Sequence, residues 1–301
     1  MKFSVVKSRL VWYVLSGVMI GVSIFAFAAF GLKQGIEFTG GTLMAVRFEQ
    51  DRPSAADASD ILSKAVTDLG SITAQPAGDK DIQFRYKTVT EEQHQSLLKS
   101  LNEKYGKVEE LRFDAIGPVI GEELRKKSIQ GLLIVLLAIL AYIAYAFRRV
   151  TAPVPSWQYG LVTVFTAFHD VIVPIGVFSL LGHFAGWEIG TPFVAAVLTI
   201  MGYSIQDTIV VLDRVRENLT RSDVTFSELV DLSVRQTFLR SFNTSMTTLL
   251  ALTAIFIFGG SSLHEFTLAL ILGISVGTYS SIFIASPMLV TIDKTKRRFA
   301  K

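Results

Sequence analysis

Leu10–Gly31, LVWYVLSGVMIGVSIFAFAAFG, runs for 22 residues without a charge. A helix needs ~20 such residues to cross the hydrocarbon of a bilayer, so this stretch reads as a membrane span. Working outward from it, five further apolar runs follow, at roughly 129–147, 158–181, 191–212, 241–259 and 265–290. Between the first and second lies a polar stretch, 33–127, holding 14 Lys and Arg and 16 Asp and Glu. The expected architecture is therefore a membrane protein with six transmembrane helices and an inserted polar domain. Its parts are the N-terminus with helix one (1–32), the insert (33–127), and a five-helix membrane domain with the C-terminus (128–301). Ala26-Phe27-Ala28 has the look of a signal-peptide cleavage site. The apolar run around it exceeds the about 7–15 residues of a signal core, which predicts a retained span.

Composition agrees. Half of the 301 residues are hydrophobic, mean hydropathy is +0.45, and 18% are charged, against ~25% in an average soluble protein. A chain of this kind cannot bury its apolar surface in one water-soluble core, which excludes a cytosolic enzyme, a disordered region and a small secreted scaffold. With no cysteine, disulfides, thiolate metal sites and cysteine nucleophiles are excluded as well. His94, His169, His183 and His264 show no paired ligand spacing, so no metal or other cofactor is expected.

The net charge of +3 and pI near 9.0 report topology rather than nucleic-acid binding. Lys2, Lys7 and Arg9 precede span one, and Arg148 and Arg149 follow span two. Arg214, Arg216, Arg221, Arg235 and Arg240 lie between spans four and five, and Lys294, Lys296, Arg297, Arg298 and Lys301 follow span six. The opposite short loops, 182–190 and 260–264, hold no Lys or Arg. By the positive-inside rule both termini are expected to be cytoplasmic and the insert extracytoplasmic.

The insert carries its own pattern. Gly41–Phe48 is rich in strand formers, and Pro53-Ser54 opens a helical stretch, Ser54–Leu69, with Asp57 three residues beyond the Ser cap. Ile72–Ala77 and Ile82–Lys87 form a hairpin, with Ile82, Phe84 and Tyr86 alternating with polar residues. Thr90-Glu91-Glu92-Gln93 is a capping box, and Leu97, Leu98 and Leu101 line the helix after it. Leu111, Phe113 and Ala115 alternate in a last strand. The order βαββαβ predicts an α+β ferredoxin-like domain. It contains neither a phosphate loop nor a nucleophile–base pair, and reads as a docking or handling domain.

Ionisable groups inside spans are costly, ~2.5–3.5 kcal/mol even on lenient scales, and so call for a reason. Asp170 lies in span three, Asp207 in span four and Arg240 at the start of span five. Asp207 is ~24 Å along its span from the outer end at helical rise. It shares a face with Thr208, Val211 and Arg214. A membrane carboxylate can take up and release a proton as its surroundings change. Two readings follow: a proton relay in which Arg240 moves toward and away from Asp207, or a fixed Asp207–Arg240 ion pair holding helices together. Asp170, beside His169, either joins the relay or caps a polar pocket beneath Pro174. Asp213-Arg214 reads as an anchor at the membrane boundary. Phe226–Arg235 is mildly amphipathic and is expected to lie on the inner surface.

Two enzyme readings fare poorly. Gly273-Ile274-Ser275-Val276-Gly277 fits G-x-S-x-G, but lies inside an unbroken apolar helix instead of a strand–turn–helix. Gly273 and Gly277 read better as a surface for close helix packing. An Asp170–Asp207 protease dyad lacks the Gly-x-Gly-Asp surroundings of that class.

Several segments resemble the SecF members of the SecD/SecF protein-export family, in family order. They are Gly35–Thr42 (GIEFTGGT), Gly117–Gly121 (GPVIG), Phe168-His169-Asp170, Gly202–Asn218 (GYSIQDTIVVLDRVREN) and Arg235–Leu250 (RQTFLRSFNTSMTTLL). Two positions depart from the family pattern: Gln206 stands where Asn is usual before the motif aspartate, and Glu37 where Asp is common. The resemblance implies a subunit that pairs with SecD beside the Sec translocon channel. There it uses inward proton flow to pull or release preproteins on the outer side. It implies that Asp207 is the essential transmembrane carboxylate and Arg240 the functional arginine of span five, with Asp170 in a motif of less defined role. Gln206, Thr208, Asp213 and Arg214 also match and would support them. The coupling ion would be the proton, the partners SecD, the translocon, preproteins and membrane lipid, with no nucleic acid and no enzyme activity. The alternatives are a subunit of a proton-coupled efflux pump and a non-transporting membrane scaffold.

Overall fold

The computed structural model describes residues 4–146, 153–260 and 263–299. Lys2, Arg148, Arg149 and Lys301 of the basic pattern lie outside them. The chain forms two compact units, Gln34–Ile129 and the helical remainder.

In the smaller unit a single helical turn, α2 (Ile36–Thr39), leads into β1 (Gly41–Phe48); α1 belongs to the helical unit described below. The sequence of elements continues α3 (Ala55–Ala65), β2 (Thr73–Pro76), β3 (Asp81–Tyr86), α4 (Glu91–Tyr105) and β4 (Val108–Ile116). The four strands form one antiparallel sheet in the order β2-β3-β1-β4, the spatial order of a βαββαβ domain. Its core joins Met44, Val46 and Phe48 to Ile82 and Phe84, and Ala58 and Leu62 to Leu97 and Leu101. Helix starts follow local chemistry. The Ser54 hydroxyl accepts the Asp57 N–H, and Thr90 and Gln93 exchange reciprocal capping bonds.

Two expectations are corrected here. The helix from Ser54 ends at Ala65 rather than Leu69: Val66 is extended and Asp68 adopts φ 72°. The alternation of Leu111, Phe113 and Ala115 is broken by a bulge opposite Ala45 and Val46, which leaves Leu111 as the extra residue and 43% exposed. Phe113 remains turned to α4, its ring 3.7 Å from that of His94.

Two motifs that are 70 residues and more apart in the sequence meet in this unit. Gly40 (φ 73°) lies so close to the start of α5 (Pro118–Ala146) that a Cβ there would stand 2.7 Å from Pro118 Cα. A Cβ on Gly121 would stand 2.8 Å from the Gly40 nitrogen. GIEFTGGT and GPVIG are therefore two sides of one backbone contact that admits only glycine.

The helical unit contains α1 (Arg9–Phe30), α6 (Ser156–Ala185), α7 (Thr191–Leu219), α8 (Phe226–Phe258), α9 (His264–Ser280), a π-helical turn (Ser281–Ala285) and α10 (Ser286–Phe299). Among the described residues six helical stretches are long and apolar enough to cross a membrane: α1, Pro118–Ile143, α6, α7, α8 and His264–Phe299. Leu10, Val14 and Phe25 of α1 and Leu133, Ile134 and Leu137 of α5 are exposed, as suits side chains meeting lipid. Phe226–Arg235 is not a separate surface helix. A Thr225–Glu228 capping box starts one continuous helix there, with Leu229, Val230 and Val234 buried. Gly273 and Gly277 let α9 run close along α7: a Cβ at the first would collide with Ile200 and at the second would meet Ser204. Ser275 is exposed within a helix, so the chain has no nucleophile elbow there.

Candidate functional site

Asp170 and Asp207 sit on neighbouring helices, and serines hold both. Pro174, one turn beyond Asp170 in α6, has no N–H to bond the Asp170 carbonyl and crowds it, which loosens the ladder at that point. The Asp170 carboxylate is fully buried. Its Oδ1 lies 2.7 Å from His169 Nδ1, and its Oδ2 accepts hydroxyls from Ser204 of α7 and, at 2.7 Å, Ser280 of α9. His169 is itself fully buried, and its Nε2 has no hydrogen-bond partner among the described residues.

Asp207 is half-buried. Its Oδ1 accepts the Ser241 hydroxyl of α8 at 2.5 Å, and its Oδ2 the Ser281 hydroxyl at 2.5 Å. Hydrogen bonds to an ionised acceptor are charge-assisted and stronger than neutral ones. They stabilise a carboxylate without supplying a counter-charge, so the acid keeps the choice of giving up or holding a proton.

The other residues singled out from the sequence fall in different places. Arg240 is exposed and, among the described residues, forms no ion pair with Asp207. It precedes Ser241 by one residue, about 100° around the helix, so the serine that binds Asp207 turns inward and the arginine away. Gln206 is likewise exposed. Thr208 is fully buried with its hydroxyl unpartnered among the described residues. Asp213 pairs with Arg216 at 2.5 Å and Arg214 with Glu217 at 2.7 Å, so these two serve neighbours one turn on along α7 and not the aspartate. Ser204, Ser241, Ser280 and Ser281 escaped the sequence reading. The available signal was a hydroxyl in an apolar span at the depth of an acid, as in Arg240-Ser241 and Tyr279-Ser280-Ser281. Among the described residues no group of three His, Asp or Glu could hold a metal ion.

The family comparison bears on this geometry. The model of the protein export membrane protein SecD/SecF C-terminal region matches residues 96–295, and that of the SecD/SecF GG motif residues 25–51. The chain belongs to the SecD/SecF family. It is similar to protein translocase subunit SecF of Thermobaculum terrenum, 40% identical over 95% of this chain and 93% of the relative. It is also similar to that of Haemophilus influenzae, 36% identical over 93% and 82%. Among solved structures it is similar to SecDF of Thermus thermophilus, described as a translocon-associated membrane protein. That match has a TM-score of 0.83 at 32% identity, covering 98% of this chain. The chain spans 39% of that SecDF chain. Within the SecD/SecF family the chain is thus a SecF-type, multi-pass membrane subunit, accessory to Sec-dependent protein translocation. Gly40 lies in the GG-motif match and Gly121 in the C-terminal match, so their contact gives the GG motif a steric meaning.

Proposed function

We propose that this chain is the SecF half of a SecD–SecF unit that spends the proton motive force on preprotein movement out of the Sec channel. Asp207 is the proton carrier, Asp170 with His169 a second station, and Arg240 the cation that meets them or a partner's acid during the cycle. The observation carrying this reading is that two carboxylates inside the helical unit are each held by two serine hydroxyls, Asp170 with His169 beside it, and that among the described residues no Lys or Arg pairs with either. A permanent ion pair would lock Asp207 in its charged form, whereas hydroxyls donate to the charged form and accept from the neutral one.

The SecD partner is supported by an exposed polar strip. Gln206 on α7 and Arg240, Asn243, Thr244 and Thr247 on α8 are exposed at the depth of the spans, where lipid is a poor neighbour. A helix of SecD bearing an acid group would cover them. The short loops without basic residues support an orientation with both termini cytoplasmic and the 33–127 domain outside. Each proton crossing inward releases ~2.3 kcal/mol per 100 mV, so a few per cycle suffice to shift a two-state equilibrium by ~5.5 kcal/mol. No residue of this chain then acts as an enzyme nucleophile. The proton is the only coupling species.

The test is preprotein release from cells whose only copy carries Asp207→Asn, with membrane level checked by blot, in the presence and absence of an ionophore. The expected result is loss of the ionophore-sensitive part of release at a normal protein level. Release equal to the parent's would reduce Asp207 to a structural residue and overturn the proposal.

A further inference from the structure

Ser280 and Ser281 are consecutive, yet they serve different carboxylates: Ser280 Oγ donates to Asp170 Oδ2 at 2.7 Å and Ser281 Oγ to Asp207 Oδ2 at 2.5 Å. Each hydroxyl also lies near a carbonyl of its own helix, Ser280 Oγ 3.1 Å from Gly277 O and Ser281 Oγ 3.1 Å from Thr278 O. A serine has one proton to donate. A charged carboxylate is the stronger acceptor and holds it. Once the acid is protonated, its own O–H donates to the serine oxygen, and the serine proton turns to the helix carbonyl. Each serine is thus a two-position rotor set by the charge on its partner.

The backbone under these rotors is loosened. The π turn begins at Ser281, and the Ser281 carbonyl takes the Ser286 hydroxyl at 3.1 Å. Pro287 has no N–H for the Phe283 carbonyl and would collide with it in a regular α-helix. Such turns ease a helix past a misfit and recur at functional sites. The contact with α7 is tight just above: a Cβ on Gly277 would stand 3.0 Å from Ser204 Cβ, and Ser204 is the second donor to Asp170 Oδ2. A small rotation of α9 therefore changes the bonding of both acids together. The titratable and charged groups on the elements packed around this junction include His169 and Asp170 from α6, Asp207 and Tyr203 from α7, Tyr279 from α9, Tyr13 from α1, bonded to Thr291 of α10, and, beside Ser241 on α8, the outward-turned Arg240.

We infer that Ser280 and Ser281 are positioning residues that couple the two acids: a proton taken up at one carboxylate turns its serine, shifts the π turn and alters the hydrogen bonding of the other. Only O–H protons move. The incoming proton stays on the acid, and each serine keeps its own, re-aimed. The inference rests on the proposed proton-carrier role for its use in transport, while the coupling itself concerns the titration of two acids.

The experiment is pH-difference infrared spectroscopy of the protonated carboxyl C=O stretch, on the full chain with its SecD partner in membranes. Asp170→Asn and Asp207→Asn assign the two bands. Ser281→Ala is expected to move the Asp207 midpoint by about one pH unit, the worth of a hydrogen bond to a charged group. It should also move the Asp170 midpoint, which Ser281 does not touch. Ser280→Ala should move the Asp170 midpoint and, across the junction, the Asp207 midpoint. Ser280→Thr and Ser281→Thr keep the hydroxyl and should keep both midpoints. Should an alanine variant fail to accumulate, serine-to-cysteine variants weaken the same donor at similar volume and are read in the same way. Midpoints that move only at the acid each serine touches, or at neither, overturn the inference. If Asp207→Asn leaves ionophore-sensitive release intact while the crossed shifts are present, the transport reading falls and the coupling stands.

Discussion

Replacing Gly40 by alanine places two separable strains on one atom. The backbone there has φ 73°, which costs an L-residue ~1–2 kcal/mol. The new Cβ would stand 2.7 Å from Pro118 Cα, 3.0 Å from Pro118 N and 3.3 Å from Ile116 O. These are backbone atoms that cannot swing aside, and overpacking of that kind costs ~1–3 kcal/mol. The structure supplies a control for each part. Gly78 has φ 92° with nothing within 4 Å of a Cβ, so Gly78→Ala carries the conformational strain alone. Gly121 has no positive φ, but its Cβ would meet Gly40 N at 2.8 Å, so Gly121→Ala carries the collision alone. Gly40→Ala should therefore cost about the sum, ~2–5 kcal/mol, against ~1–2 for Gly78→Ala and ~1–3 for Gly121→Ala. At 1.4 kcal/mol per factor of ten, Gly40→Ala raises the open population of the 34–129 unit by ~30- to 4,000-fold. Pulse proteolysis of the intact protein in vesicles, titrated with urea, reads that population directly. A Gly40→Ala protein no more labile than Gly78→Ala would refute the reasoning, because the close approach to Pro118 would then contribute nothing.

Gly273→Leu should abolish the close run of α9 along α7 at Ile200, with loss of thermal stability in detergent, whereas Ser275→Leu should be tolerated because Ser275 is exposed. Equal loss from both would contradict the packing described. Burial pushes the Tyr86 hydroxyl up from its ordinary value. Stability from this residue is thus fully present below about pH 10 and lost as pH climbs toward the raised folded value. Tyr86→Phe should flatten the alkaline limb of the unfolding curve, and an unchanged limb would show that Tyr86 does not titrate on unfolding. Asp231 accepts the Val6 N–H at 3.1 Å and the Ser4 hydroxyl, so Asp231→Ala should speed amide exchange at residues 4–8 by ~5- to 150-fold, the loss of ~1–3 kcal/mol at a buried acceptor. Exchange unchanged from the parent would mean that the N-terminal segment is held by other contacts.

How much was legible in the sequence depended on how local the cause was. Thr90-Glu91-Glu92-Gln93 and Ser54-Ala55-Ala56-Asp57 read as caps because a cap involves residues three apart. The end of α3 was misread because Leu69, apolar and buried, looks like one more helical position, while the φ of Asp68 that takes the chain out of the helix leaves no mark in composition. Leu111 was misread because a bulge is a property of two strands, and only the β1 partner shows where the extra residue falls. The same limit hid the serines. Arg240 draws attention as a charge and Ser241 does not, yet it is Ser241 that reaches Asp207, because the rotation of α8 against α7 is set by packing along both helices.

The sequence alone determined the elements whose signal is carried by many residues at once: six apolar runs, the polar insert, its βαββαβ order and two acids inside spans. Hydrophobic length and periodicity are sums over a whole segment, and neighbours cannot cancel them. Tertiary structure decided which single atoms meet: Gly40 with Pro118, Asp207 with Ser241 and Ser281, Asp170 with Ser204 and Ser280. Those meetings turn on helix rotation and on a π turn, and one residue of rotation, about 100°, exchanges an arginine for a serine at the carboxylate.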